Sequence, residues 1–433
     1  MNQLNKPLDM IALESEQPYS EPSRVKAGTL SITDFLLGIS QLTTIGVIET
    51  TAIVEAIHRE ILLRPLGLLN HRYGRFWHKG ISSRVYKVVR GITSLVGRSL
   101  TVAINQYNHF TNNDKSHPLP NSLNMVVNVL NGVMGDHLET NKNPLALPTS
   151  LYNSEGLLLA VSNQVNKNMA LSGKVTIILH GLCMGYLNWL PNNENSLGQI
   201  IQKNQPDTNI FYLNYNTGRR ISSNGREFSE LLHQLSTTYT DISEINLIGH
   251  SMGGLVSRSA LYYGGQAQYE WVTKTKKLIT LGTPHHGAVL ERIGNTVQQT
   301  ISKVPFAGSL SKLGDIRSTG IIDLRHGSVR DEDWHSLTTR SVLPDDERYI
   351  TMLPEHIDTY FLAATFSEKK DDSKESKLLG DGLVSISSAL GEHIETHDLK
   401  VPMHRKAIFY GIGHLSLLTD KRVINQTLDW LKD

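Results

Sequence analysis

The sequence predicts an α/β protein: a mostly parallel central sheet with helices on both faces, an N-terminal helical extension and a lid-like insertion. Three observations carry this reading. Short apolar, partly β-branched runs recur at roughly thirty-residue intervals, VTIILH (175–180), NIFYLNY (209–215), EINLIGH (244–250) and KKLITLG (276–282), which is the rhythm of strand-helix-strand units. Amphipathic helical patterns fill the gaps between them. One of the runs leads directly through a glycine-flanked serine into such a helix.

Composition agrees with an ordinary soluble chain. At 433 residues, 39% hydrophobic and 19% charged, it is long enough to bury a sizeable core. Forty-two Lys and Arg against forty-one Asp and Glu leave a formal charge of +1, so no global field draws it to nucleic acid. The single cysteine, Cys183, excludes an intrachain disulfide and any zinc site with two thiolates. No stretch approaches about 18 uncharged apolar residues, and the N-terminus lacks the apolar core of a signal peptide, so the chain reads as cytoplasmic.

In chain order, residues 1–28 are polar, with prolines at 7, 18 and 22, and are expected to be a disordered tail. From Ser31 to Leu63 the pattern is helical, with Phe35, Ile39, Leu42, Val47 and Ile48 near one face and Pro65 closing the run. A cleaner stripe runs through Ile81, Val85, Val88, Ile92, Leu95, Ser99 and Val102. Between Arg59 and Arg98 nine Lys and Arg face one acid, Glu60. Two readings stay open for residues 59–98: peripheral contact with an anionic membrane at the inner surface, or a solvated face on helices packed against the rest of the protein.

Turn-rich TNNDKSHPLPN (111–121) marks the boundary of that helical region, 29–121, and the catalytic unit is expected over 122–433. A helix is predicted over about 122–139, and LLLAV (157–161) in an antiparallel strand pair. Within NGREFSELLHQL, Asn224 is expected as N-cap with Glu227 three residues on, and Gly264-Gly265 as the stop of the helix after the serine. The βα rhythm then breaks over about 288–355, an insertion expected to cover the cleft and containing the apolar piece VPFAGSL with Phe306. TYFLAATF (359–366), KAIFYGIG (406–413) and the helical DKRVINQTLDWLK complete the chain.

The chemistry centres on INLIGHSMGGLVSRSAL. A G-x-S-x-G between strand and helix is a nucleophile elbow: Gly249 and Gly253 leave room for a sharp turn, and Ser251, preceded by His250, is held with its hydroxyl exposed. Without that context the pentapeptide is only a glycine-rich turn. An acyl-transfer serine needs two oxyanion donors. One is the amide of Met252, and the other that of Leu182, in the loop opened by His180-Gly181 at the end of an earlier strand.

A base and an acid should follow the nucleophile. Of eighteen histidines, His414 follows the last predicted strand and precedes the terminal helix; His404 lies at that strand's opposite end. His285 and His286 precede every plausible acid and are expected to shape the pocket. Asp381, between Gly380 and Gly382, is the preferred acid over Asp358 and Asp420. Cys183 reads as a small pocket-lining residue rather than a second nucleophile. Without HExxH, CxxC, Walker loop or GxGxxG, no motif calls for a cofactor.

Taken together, HGLCMGYLNW, GHSMGGLVSR, LGTPHHGA, GDGLVS and the GH before the last helix resemble the α/β-hydrolase lipases and esterases of bacteria, including a branch similar to GPI inositol-deacylases, over about 170–433. The resemblance implies the α/β-hydrolase fold, Ser251 as nucleophile, Asp381 as acid and His414 as base. Secreted relatives often carry N-H-L-D at the histidine, where the aspartate helps to hold calcium. This chain has G-H-L-S with Ser416 in that place, so no structural metal is expected. The sequence thus points to a serine hydrolase of carboxylic esters, lipid acyl esters first. The alternative is a non-catalytic hydrolase-fold scaffold that binds a partner or a membrane.

Overall fold

The apolar runs that punctuate the sequence become neighbours in one sheet. The computed structural model describes residues 30–31, 33–42, 119–159, 171–190, 196–288, 318–335, 348–349, 351–368, 380–393 and 397–432. Its strands are β1 (Ser150–Asn153), β2 (Gly173–Leu179), β3 (Thr208–Asn214), β4 (Ile242–His250), β5 (Thr275–Leu281), β6 (Asp358–Thr365) and β7 (Lys406–Tyr410). They lie in the order β1-β3-β2-β4-β5-β6-β7. Only β1 runs antiparallel, against β3. Every other pairing is parallel. This is the strand order of the α/β-hydrolase fold from its antiparallel second strand onward.

The helices are α1 (33–42), α2 (Asn121–Thr140), α3 (Leu197–Asn204), α4 (Ile221–Thr238), α5 (Met252–Gln266), α6 (Glu270–Lys274), α7 (Thr319–His326), α8 (Asp331–His335), α9 (Ile386–Ala389) and α10 (Lys421–Lys432). Alternate side chains of each strand feed two cores. Ile177, Leu179, Leu213, Leu247, Leu278 and Phe361 pack under α2, α4 and α5. Ile178, Tyr212, Ile248, Ile279, Leu281 and Leu362 meet α3 and α10 on the opposite face. With both faces covered, the strands need no polar alternation, which is why they read as continuous apolar runs. Each such side chain contributes about 1.5–3 kcal/mol by leaving water.

Pairing register brings the strand ends to one edge. Leu179 of β2 and Thr280 of β5 both lie opposite Gly249 of β4, and His250 lies opposite Leu281. The chain crosses from β2 to β3 on one side and continues through β4 on the other, so the β2 and β4 exits flank a topological switch point.

Several expectations shift in detail. The helix expected over 122–139 is α2, kinked at the non-helical Met134. Of LLLAV, the described residues 157–159 form no strand, and Leu158 makes an isolated antiparallel bridge to Tyr152 on the edge of β1 that faces away from β3. Asn224 is not an N-cap: α4 begins at Ile221, and the buried Asn224 amide instead donates to the Asn216 carbonyl at 2.9 Å. Glu227 pairs with Arg219 at 2.7 Å rather than closing a capping box. Gly264-Gly265 lies inside the last turn of α5, where Gly264 lets Trp271 and Val272 approach.

The N-terminal region touches the rest of the described structure at α1. The Asn143 amide donates to the Gly38 carbonyl at 3.0 Å, and Phe35, Ile39 and Leu42 pack against the core. The tail 1–28, the stripe Ile81–Val102, the basic stretch 59–98 and Phe306 lie outside the described residues. No described helix is long and apolar enough to cross a membrane.

Candidate active site

Ser251 joins β4 to α5 with φ 54° and ψ −122°, a backbone that L residues adopt only under constraint. The constraint is visible on both sides. A Cβ on Gly253 would stand 2.7 Å from the Leu179 carbonyl oxygen and 2.8 Å from that of His180, so only glycine lets the turn pass. The Ser251 amide donates to the Leu281 carbonyl at 2.9 Å, and the Thr283 hydroxyl donates to the Ser251 carbonyl at the same distance.

Beyond β6 and β7 two more side chains arrive at this edge. His414 Nδ1 lies 2.7 Å from Asp381 Oδ2, both residues being buried. The other carboxylate oxygen, Oδ1, accepts from the Leu383 and Val384 amides at 3.0 and 2.8 Å, so the tight turn flanked by Gly380 (φ 51°) and Gly382 (φ 94°) fixes the acid from its own backbone. The His414 amide donates to the Asp381 carbonyl at 3.0 Å, which ties the two loops together. Gly282 packs beside the pair, and a Cβ there would come within 3.1 Å of Asp381 Oδ2 and 3.3 Å of His414 Cε1. His414 Nε2 is buried with no protein partner. Asp358 sits at the opposite end of β6, paired with Arg405 at 2.6 Å.

The loop after β2 closes over the serine. Gly181 is so near that an added Cβ would stand 3.0 Å from Ser251 Cβ and 3.2 Å from His250 Nδ1. Among the described residues neither the Leu182 nor the Met252 amide donates to a protein acceptor. Tyr215, which sequence reasoning passed over, anchors this loop: its hydroxyl donates to the His180 carbonyl at 2.6 Å and its ring stacks on the His180 ring at 4.4 Å. Burial pushes His180 down to about 4. His250 is pushed well below its ordinary value for the same reason, reinforced by His414, and its Nε2 donates to the His414 carbonyl at 3.2 Å.

Residues 170–363 match the family model described as the PGAP1-like alpha/beta domain. That span of the chain thus resembles a PGAP1-like alpha/beta domain, on the sheet order of an α/β-hydrolase fold. Among solved structures, the chain resembles the mature lipase BlEst2 of Bacillus licheniformis at 17% identity, 62% of this chain, 96% of that chain and a TM-score of 0.37. A lipase-esterase related protein of Clostridium acetobutylicum shares 12% identity over 61% of this chain and 95% of its own, with a TM-score of 0.33. The esterase PF2001 of Pyrococcus furiosus shares 12% over 60% and 82%, with a TM-score of 0.35. No curated protein matches the chain.

Cys183 is a buried packing residue. Its φ is 60°, its thiol is pushed up to about 12 by burial, and its sulfur fills the space left by Gly132 of α2. Ser416 lies in the 3-10 turn that begins at His414 and brings a hydroxyl where a calcium-binding relative brings a carboxylate, a poor donor set for that ion. His285 and His286 do not meet the Asp381–His414 pair. They line a separate cavity with Arg258 and Arg348, neither of which the sequence had suggested. The available signal was Arg258 itself, the one charged residue on α5.

Proposed function

We propose that this protein is a hydrolase that cleaves carboxylic esters, lipid acyl esters foremost, through a Ser251–His414–Asp381 triad. The observation that carries the reading is the strained Ser251 at the same sheet edge as the Asp381–His414 pair, whose Nε2 is left without a protein partner. Ser251 Oγ attacks the ester carbonyl while His414 Nε2 accepts its proton. Asp381 holds the proton on Nδ1 and so presents Nε2 as the base. The Leu182 and Met252 amides, with no competing acceptor, receive the oxyanion. The tetrahedral intermediate expels the alcohol with the proton from His414, and water, activated by the same imidazole, releases the acid from the acyl-enzyme. No hydrogen bond yet joins Ser251 Oγ to His414 Nε2, as is common before substrate tightens such sites.

A lipid acyl group is favoured by the pairing of GHSMGG with LGTPHHG and by the match to the PGAP1-like domain. In the same proposal residues 288–355 cover the cleft as a lid and 59–98 meet an anionic bilayer from the cytoplasmic side. The deciding experiment is labelling with a fluorophosphonate, followed by hydrolysis of p-nitrophenyl esters of increasing length beside a phospholipid and a triglyceride. Labelling of the parent chain and not of Ser251→Ala supports the triad, whereas an unlabelled, ester-inert parent leaves a binding scaffold. Flotation with anionic liposomes at low salt tests the membrane contact.

A further inference from the structure

His250 is the last residue of β4, joined directly to Ser251, and the proposed reaction steps make no use of it. Its side chain is buried between the parts of the candidate site. Gly181 of the oxyanion loop is so close that a Cβ there would stand 3.2 Å from Nδ1. The His414 ring lies 4.8 Å away between centroids, tilted by 41°, and Trp189 makes a T-shaped contact at 6.3 Å. The hydrogen bond that orients the His250 ring runs from Nε2 to the His414 carbonyl at 3.2 Å. A carbonyl only accepts, so the proton sits on Nε2. Burial pushes His250 well below the usual histidine value, which makes a second proton costly. Nδ1 is buried and has no protein partner, so nothing turns the ring another way.

That bond completes the hold on His414. The His414 amide donates to the Asp381 carbonyl at 3.0 Å and its Nδ1 meets Asp381 Oδ2 at 2.7 Å, so the acid fixes the base from one side. Neither of those bonds reaches the strand that carries Ser251. The bond from His250 does, and because His250 and Ser251 share a planar peptide, it relates base to nucleophile through fixed covalent geometry. His414 Nε2 has no hydrogen bond to Ser251 Oγ, so the gap between them is set by their surroundings rather than by their own contact.

We propose that His250 is a positioning residue: its Nε2–H, by holding the His414 carbonyl, sets the reach between Ser251 Oγ and His414 Nε2. This role rests on the ester-hydrolase reading of Ser251 and His414, while the link itself can be observed without turnover. A reacting pair held about 1 Å out of place loses about a hundredfold in rate, so one hydrogen bond here outweighs its own strength.

Two substitutions in the full chain separate the donor from the bulk. In His250→Gln the amide nitrogen stands as many bonds from Cα as Nε2 does and still donates, whereas His250→Leu fills the space without a donor. His250→Leu is expected to lower kcat for p-nitrophenyl butyrate about a hundredfold with KM little changed, and His250→Gln to recover most of that loss. The second readout needs no activity. The far-downfield proton resonance of the Nδ1–H between His414 and Asp381, assigned by its absence from Asp381→Asn, should stay sharp in the parent and in His250→Gln and broaden or vanish in His250→Leu at unchanged circular dichroism. Should His250→Leu not fold, His250→Phe takes its place. Where neither folds, His250→Gln decides: turnover near the parent's supports the donor, and a loss of about a hundredfold overturns it. Parental kcat in a folded variant without the donor, or equal losses in the Gln and Leu variants, also overturns the proposal. A parent inert to esters and fluorophosphonate that keeps this pattern of resonances removes the triad's chemistry and leaves the link. A parent with neither turnover nor resonance overturns both.

Discussion

His414 Nδ1 and Asp381 Oδ2 stand 2.7 Å apart, and the carboxylate's second oxygen is clamped by two amides of its own turn. The clamp means that Asp381→Asn keeps a similar shape but offers the imidazole a donor in place of an acceptor on one rotamer. Loss of kcat by about 10⁴, with little change in KM, is predicted from the resulting wrong tautomer. Asp358→Asn, which breaks only the ion pair with Arg405, should leave turnover near that of the parent. The opposite ranking in p-nitrophenyl ester assays removes Asp381 as the acid.

Ser251→Ala is predicted to abolish turnover while the thermal transition stays within a few degrees of the parent. In the proposed mechanism the serine contributes chemistry, and its conformation is enforced by neighbouring glycines and backbone bonds rather than by its hydroxyl. Most of the parental rate surviving in this variant would contradict the mechanism.

Gly132→Ala places a methyl inside the van der Waals shell of the Cys183 sulfur and 2.9 Å from Cys183 Cα. A loss of about 1–3 kcal/mol is predicted from overpacking, together with a fall in kcat, because the next residue towards the N-terminus is Leu182. Cys183→Ala, mild by itself, should restore part of both losses in the double variant. Strict additivity in urea melts argues against the contact.

Acid is predicted to destabilise the fold from about pH 6.5 downward. His180, His250, His285 and His286 are all depressed by burial, so below the ordinary histidine value the unfolded chain binds protons that the folded chain refuses. Each contributes a slope of about 1.4 kcal/mol per pH unit between the two values. Asp323, raised to about 6 by burial, and Glu139, also raised by burial, act in the other direction at lower pH, but they are two carboxyls against four histidines. Urea midpoints that stay level between pH 7 and 5 contradict this account.

Chelation by EDTA is predicted to leave the thermal midpoint and ester turnover unchanged, since Ser416 brings no carboxylate to the His414 turn. A drop reversed by added calcium overturns it.

The strands and the elbow were legible because each is written locally. A buried parallel strand needs a continuous apolar run, and the turn at Ser251 needs glycine two residues to either side. That Asp381 and His414 would meet followed from the order of strand ends and from the glycines on either side of the aspartate. What stayed hidden depends on contacts far apart in the chain. Asn224 looks like a cap until the Asn216 carbonyl comes into reach, and Glu227 looks like its partner until Arg219 does. Tyr215 acquires its task from a carbonyl 35 residues earlier. Arg258 and Arg348 are ordinary arginines until the loop of His285 and His286 is folded between them.

The two glycines of α2 set a limit on how this protein can be cut. Gly132 receives the Cys183 sulfur, and Gly135 receives the Asn216 side chain, whose amide donates back to the Gly135 carbonyl at 2.9 Å. A fragment trimmed to the family-matched span of 170–363 keeps Ser251 but discards that helix together with Asp381 and His414. The smallest portion to express for enzymology therefore reaches from before Asn121 through Lys432. Libraries aimed at selectivity should treat the faces of Gly132 and Gly135 as part of the catalytic neighbourhood, although they lie more than a hundred residues ahead of the nucleophile.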